Sequence, residues 1–371
     1  MEALLQGRTE RLFMAAEDFA LSLLCTFVDW YNSSGQAERL GRQFAQTNTS
    51  RTAMELFVQE WHIFLPPQQM RVIQLCPILG FLAVFLTTPI LLARILIRAH
   101  LRQQTRYLLL ANALFSDLLF VALYMLTTCL NTAAVLMSDV ACAAMLFLMG
   151  IFYSGGLFSA TAIVLDTSLA ILAPLRYATL WPISRTYAAV FTIWLVSILF
   201  PAASVGLFLW YHRMSPCTQH ICSLPLVLVL TVSHSKPLQV CMLLTVTAVL
   251  ITLLLVVAGY VILYCHTSKS GVWRGERSSR AKGTFLVHYL HLFLSVCPML
   301  LLIIELLFYS YSSELHPSAG LWVSLVLCNI LLVLPKALAP YLYGLRYRDL
   351  RGALLDFFRL NRPTAITPVC T

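Results

Sequence analysis

Charge is what this chain has least of. Of its 371 residues only 11% are charged, with 16 Asp and Glu against 25 Lys and Arg, whereas 59% are apolar and the mean hydropathy is +0.80. A soluble domain carries about 25% charged residues and under half apolar ones, so one water-facing globule cannot hide this much apolar side chain. A lipid bilayer can. That excludes a soluble enzyme, a coiled coil, a disordered chain and a disulfide miniprotein. CxxC pairs and Cys/His clusters at zinc spacing are also missing, so the 11 dispersed cysteines read as one or two bridges plus buried thiols, with no metal and no cofactor expected. HExxH, GxSxG and paired carboxylates are absent from the apolar stretches, which argues against a membrane-embedded enzyme. The net charge of +9 calls for no nucleic acid, because membrane proteins gather Lys and Arg in cytosolic loops.

What is abundant is long apolar sequence. Seven stretches stand out: Val72 to Ile97, Tyr107 to Leu130, Met145 to Leu172, Tyr187 to Trp210, Leu238 to Tyr264, Phe285 to Phe308 and Leu321 to Leu345. Each meets the roughly 20 residues a helix needs to cross about 30 Å of hydrocarbon. An eighth candidate, Phe19 to Phe27, is too short to span. The expected fold is an all-α membrane protein: an outer tail over 1–70, a seven-transmembrane helix bundle over 71–346, and a cytosolic segment over 347–371. Within that last segment Leu350, Leu354, Phe357 and Phe358 fall at helical spacing with arginines opposite, predicting a short amphipathic eighth helix along the inner membrane surface.

Loop charge orients the bundle. Fifteen of the 25 basic residues fall in the loops after spans one, three and five and in the tail, while the opposite loops hold only Arg213 and Lys236. The N-terminus is therefore expected outside and the C-terminus in the cytosol. Acceptor sequons at Asn32 and Asn48 agree with an exported, glycosylated tail.

Four Asp, Glu and Lys residues lie in or at the edge of spans: Asp117, Asp166, Glu305 and Lys336. A charge at the bilayer centre costs at least about 2.5 to 3.5 kcal/mol, so each is a candidate functional position. Asp117 is ten residues in from the cytosolic start of span two, and Lys336 nine from the cytosolic end of span seven. At about 1.5 Å per residue they stand level near mid-membrane, and a buried Asp117–Lys336 ion pair is expected. The alternative is that Lys336 snorkels to another polar group. Asn329, Lys336 and Tyr343 share one face of span seven. Pro298 in span six, and Pro335 and Pro340 in span seven, invite kinks.

These residues occur in an order that resembles a rhodopsin-like (class A) G-protein-coupled receptor of the orphan and odorant-receptor-like kind, over about residues 72 to 360. The carriers are SDLL at Ser116 to Leu119, close to the span-two LAxxDLL pattern, and Cys142 at the top of span three. Asp166-Thr167-Ser168 with LAILAPLRY at Leu169 to Tyr177 is close to DRYxAICxPLRY. Trp194, Pro298 and Ala339 to Arg346, close to NPxxYxLR, complete the set. The resemblance implies a disulfide from Cys142 to the second outer loop, where Cys222 is the preferred partner and Cys217 the alternative. It places Asp166, Thr167, Arg176, Pro298, Pro340 and Tyr343 in the activation and G-protein-coupling machinery. It also places Met149, Tyr153, Met299, Ile303 and Asn329 around a ligand pocket whose apolar lining suits a small lipophilic molecule.

Departures from the family pattern are informative. Thr167 stands where the family has arginine, leaving Asp166 to pair with Arg176; Val296 replaces the toggle tryptophan, Ala339 the asparagine before Pro340, and Thr88 the span-one asparagine. The span-two aspartate of the family commonly holds sodium, but here Gly156 and Ala339 offer no oxygen and Lys336 brings a competing ammonium. The expected function is a plasma-membrane receptor passing ligand binding to a heterotrimeric G protein. The alternatives are an atypical receptor with weak or no coupling and, further off, a transporter.

Overall fold

The computed structural model describes residues 67–133, 139–172, 175–180, 182–211, 287–298, 300–301 and 317–358, with scattered helical positions between 244 and 265. Long helices dominate: α1 (Pro67–Ile97), α3 (Thr105–Thr132), α4 (Asp139–Leu172), α6 (Ile183–Tyr211) and α9 (Pro317–Arg346), with the one-turn α2 (Ala99–Arg102) and α5 (Tyr177–Leu180) at corners. The shorter apolar helices α7 (Leu253–Ile262) and α8 (Val287–Pro298) precede α9, and α10 (Arg348–Phe357) follows it. Among the described residues four helical segments are long and apolar enough to cross a membrane: Gln74–Ile97, Thr105–Asn131, Val140–Ala170 and Ile183–Ala203. The helices overrun the apolar stretches read from sequence because hydropathy marks only the part suited to lipid. Their polar ends continue the same backbone ladder.

The bundle is built around α3, which packs against α1, α4, α6 and α9. Its apolar residues face outward as well as inward: Leu79, Phe85, Phe191, Leu195 and Leu199 are exposed, the surface expected where lipid rather than water is the solvent. Helices approach closely where side chains are small. A Cβ on Gly80 of α1 would collide with Val333 of α9, and one on Gly150 of α4 would lie 2.9 Å from Cγ of Pro201 on α6.

Polar residues inside these helices are satisfied mostly one turn back. The hydroxyls of Thr87, Ser116, Thr127, Ser159, Thr161 and Ser168 each donate to the carbonyl four residues earlier, at 2.6 to 2.9 Å, so they cost little where no water reaches. Beyond the C-terminal end of α9, α10 turns away after Tyr347 and buries Leu350 and Leu354 against α1 and α9. Gly344 makes that approach possible, since a Cβ there would lie 3.2 Å from Leu354 and 3.4 Å from Leu91.

Candidate functional site

The chain's polar chemistry concentrates where α3, α4, α8 and α9 meet. Lys336 Nζ lies 2.5 Å from Asp117 Oδ1, and the two side chains are only 4% and 5% exposed. Two aromatic faces cover the ammonium: Phe120 of α3 at 4.9 Å and Tyr153 of α4 at 4.8 Å from ring centroid to Nζ. Cation–π attraction of this kind strengthens as water is removed. Gly156 supplies the space. A Cβ at this position would stand 2.5 Å from Asp117 Oδ1 and 3.2 Å from Lys336 Nζ, so any larger residue would displace one partner.

The cage extends to α8 through the Tyr153 hydroxyl, which donates to the carbonyl of Ser295. One layer further towards the C-terminal end of α9, Tyr343 sits against two buried imidazoles of α8. Its ring centroid is 5.3 Å from that of His288 and 5.5 Å from that of His291, and its hydroxyl is 3.3 Å from His291 Nδ1. On the other flank Asn112 donates to Ser159 at 2.7 Å and accepts from the Trp194 indole at 2.9 Å, tying α3 to α4 and α6.

Near the C-terminal end of α4, Asp166 is bonded by the Tyr177 hydroxyl at 2.6 Å. This replaces the expected pairing with Arg176, which is exposed. The chain turns back after α4 so that α5 delivers its first side chain, Tyr177, onto Asp166. Burial first, and the bonded carboxylate second, hold the Tyr177 phenol well above its ordinary pKa. Thr167 returns its hydroxyl to the Ile163 carbonyl at 2.7 Å. Nearby, Tyr107 donates to Asp349 at 2.6 Å and packs edge-on to Tyr347, locking α10 to α3; burial pushes the Tyr347 phenol up to about 12.

Of the other residues singled out in the sequence, Met149 and Tyr153 are buried in a packed cluster with Val84, Phe120, Val121, Cys142, Leu146 and Leu332. Pro298, Pro340 and Tyr343 are buried too. Cys142 is buried and disulfide-bonded, with a partner outside the described residues. Cys222, Met299, Ile303, Asn32 and Asn48 lie outside them as well, as does the side chain of Asn329. Sequence reasoning passed over Phe120, Asn112, Tyr177, His288, His291 and the Tyr107–Asp349 bond. The available signal was an Asn and two His inside apolar stretches.

The same polar set, in the same order along a helical membrane bundle, marks a known family. Residues 90–343 match the family described as 7 transmembrane receptor (rhodopsin family). The chain belongs to that family. It is 30% identical over 296 residues to the probable G-protein coupled receptor 148 of Homo sapiens, covering 76% of this chain and 81% of that one. It is 29% identical over 211 residues to olfactory receptor 10P1 of Homo sapiens, covering 55% of this chain and 63% of the receptor. The protein is thus a multi-pass membrane receptor of the rhodopsin-like class, on its orphan and odorant-like side.

Within that family the span-two aspartate commonly takes sodium, and the residues here do not fit the ion. Asp117 Oδ1 is occupied by an ammonium at 2.5 Å, the facing position is Gly156 with no side chain to offer, and two aromatic rings cover the ammonium. A second cation would meet the Lys336 charge at short range, where little solvent screens it.

Proposed function

We propose that this receptor crosses the plasma membrane seven times, with its N-terminus outside and α10 lying along the inner surface, and that it uses the Asp117–Lys336 pair as a built-in substitute for a bound cation. The observation that carries this is the ion pair itself: two charges at the depth where the family's ion binds, neutralising each other and joining α3 to α9. Loop charge supports the orientation. The arginine side chains and buried leucines of α10 support its placement on the inner face.

Agonist binding shifts the population towards an arrangement in which spans five and six open the cytosolic face to a heterotrimeric G protein. The ligand is a small lipophilic molecule held in the outer half of the bundle; Met149 stands where amine receptors carry an aspartate, which disfavours a cationic amine. Cys142 is bridged to Cys222 across the outer mouth, and Asn32 and Asn48 carry glycans. Coupling is atypical, because Thr167 presents a short hydroxyl already spent on its own helix in place of the arginine that would meet the transducer.

A transducer-recruitment screen comparing the natural chain with Thr167→Arg tests this. Recruitment raised by the variant supports a receptor muted at that position. Equal recruitment by both shows that another contact has taken over, and flux of small solutes through reconstituted vesicles would replace the receptor reading with transport.

A further inference from the structure

Tyr347 is the one residue between α9 and α10, and its backbone is bonded on both sides. Its amide donates to the Tyr343 carbonyl at 3.0 Å, and its carbonyl accepts the amides of Leu350 and Arg351 at 3.0 and 2.8 Å. The last turn of α9 and the start of α10 therefore form one arm. Near the bend of that arm, Asp349 Oδ2 accepts the Tyr107 hydroxyl of α3 at 2.6 Å. The post it grips is fixed: α3 packs at the centre of the bundle, and two residues before Tyr107 the Thr105 hydroxyl shares a hydrogen bond with Thr186 of α6 at 2.9 Å. Aromatic rings continue the contact, with Tyr107 edge-on to Tyr347 at 5.4 Å and Tyr347 stacked on Tyr343 at 6.4 Å.

We propose that the Tyr107–Asp349 bond is an autoinhibitory clasp: while closed it holds the C-terminal turns of α9, through α10, against α3, and it must open before they shift. Apolar contact alone would not do this. Leu350 and Leu354 are 0% and 2% exposed, but burial of this kind is non-directional and lets one helix slide over another. A hydrogen bond to a carboxylate is directional and among the stronger kinds, so it fixes where the arm sits on α3.

The two partners are unequally buried, which keeps opening within reach. Tyr107 is 3% exposed, whereas Asp349 is exposed. On release water takes up the carboxylate, and only the phenol is left short of a partner, so the open state is disfavoured without being prohibitive. The arm then exchanges between docked and released populations, and whatever binds the released one better shifts the balance. The clasp rests on the receptor reading only in taking the α9–α10 corner as part of the face that a transducer meets.

Hydrogen–deuterium exchange of residues 336–346 and 348–357 in the full-length protein, reconstituted in lipid nanodiscs, reads the clasp without ligand or transducer. Tyr107→Phe removes only the hydroxyl and keeps the ring against Tyr347. It should raise exchange in both segments together, by about tenfold, the factor expected for losing a bond to a charged acceptor. Asp349→Ala should do the same, and adding Tyr107→Phe to it should change nothing further. Exchange that rises in 348–357 alone shows a local staple of α10 and overturns the proposal, as does exchange that stays flat in both segments. So does a Tyr107→Phe effect that persists in full without Asp349. Basal transducer recruitment should rise in Tyr107→Phe along with exchange; a recruiting receptor whose basal level stays flat while exchange rises is restrained but not inhibited, which also overturns the proposal. A chain that recruits no transducer in any variant loses the proposed function, and exchange alone then decides the clasp.

Discussion

Two aspartates of this receptor solve one problem in different ways. Asp117, at mid-helix in α3, is met by a full opposite charge under two aromatic faces. Asp166, four residues from the C-terminal limit of its apolar segment, is met by a neutral phenol. The two differ in position along their helices and not in burial, each being 4% exposed. A carboxylate far from water needs an equal and opposite charge in contact, because removing either partner leaves an uncompensated ion. Asp166 accepts the Tyr177 phenol and lies within electrostatic reach of Arg106, so its charge is met in part at a distance rather than in contact. Thr167, beside Asp166, spends its hydroxyl on the Ile163 carbonyl of its own helix and leaves the carboxylate to Tyr177.

The comparison breaks most visibly at mid-depth. Asp117→Asn or Lys336→Met alone should each lower stability by about 3 to 5 kcal/mol, the cost of stranding a buried charge, seen as lost surface expression and a lower Tm in detergent. Gly156→Ala should cost about 1 to 3 kcal/mol, as overpacking does, because its methyl would occupy space at 2.5 Å from Asp117; the same assay reads it. At the membrane edge, Tyr177→Phe should cost about 1 kcal/mol, the worth of one hydrogen bond. Tyr177 is held above its ordinary pKa, chiefly by burial, so the folded state retains that proton longer than the unfolded one. Its contribution is whole below about pH 10 and fades as pH rises through the folded value; the loss of Tm in alkali should be shallower in Tyr177→Phe. Smallest of all, replacing sodium by potassium should leave Tm unchanged, and a sodium-dependent rise abolished in Asp117→Asn would contradict the pair as a cation substitute.

How much of this was legible in the sequence follows the same division. Position along a helix axis is linear in residue number, so counting from the span ends was enough to set Asp117 and Lys336 level. Rotation about the axis and the choice of neighbour are not linear in anything the chain displays. Phe120 and Tyr153 as covers of the ammonium, and the room left by Gly156, emerge only once four helices are assembled. The family resemblance sets Met149 and Tyr153 at pocket depth, and the structure adds that they pack with Phe120 and Leu146. Around Asp166 the expectation chose the charge, Arg176, over the neighbouring hydroxyl. The path of the turn after α4 decides that contest, and nothing in composition encodes that path. The Tyr107–Asp349 bond joins residues 242 apart and has no periodic signature at all. Family membership was legible because it rests on the order of motifs, which needs no geometry.

The central claim is that Asp117 and Lys336 compensate one another inside the membrane. A double-mutant cycle on thermal unfolding of the purified receptor, using Asp117→Asn, Lys336→Met and the two combined, tests it most directly. The double variant should be more stable than either single variant, with a coupling energy of at least about 2 kcal/mol. Losses that simply add would contradict it.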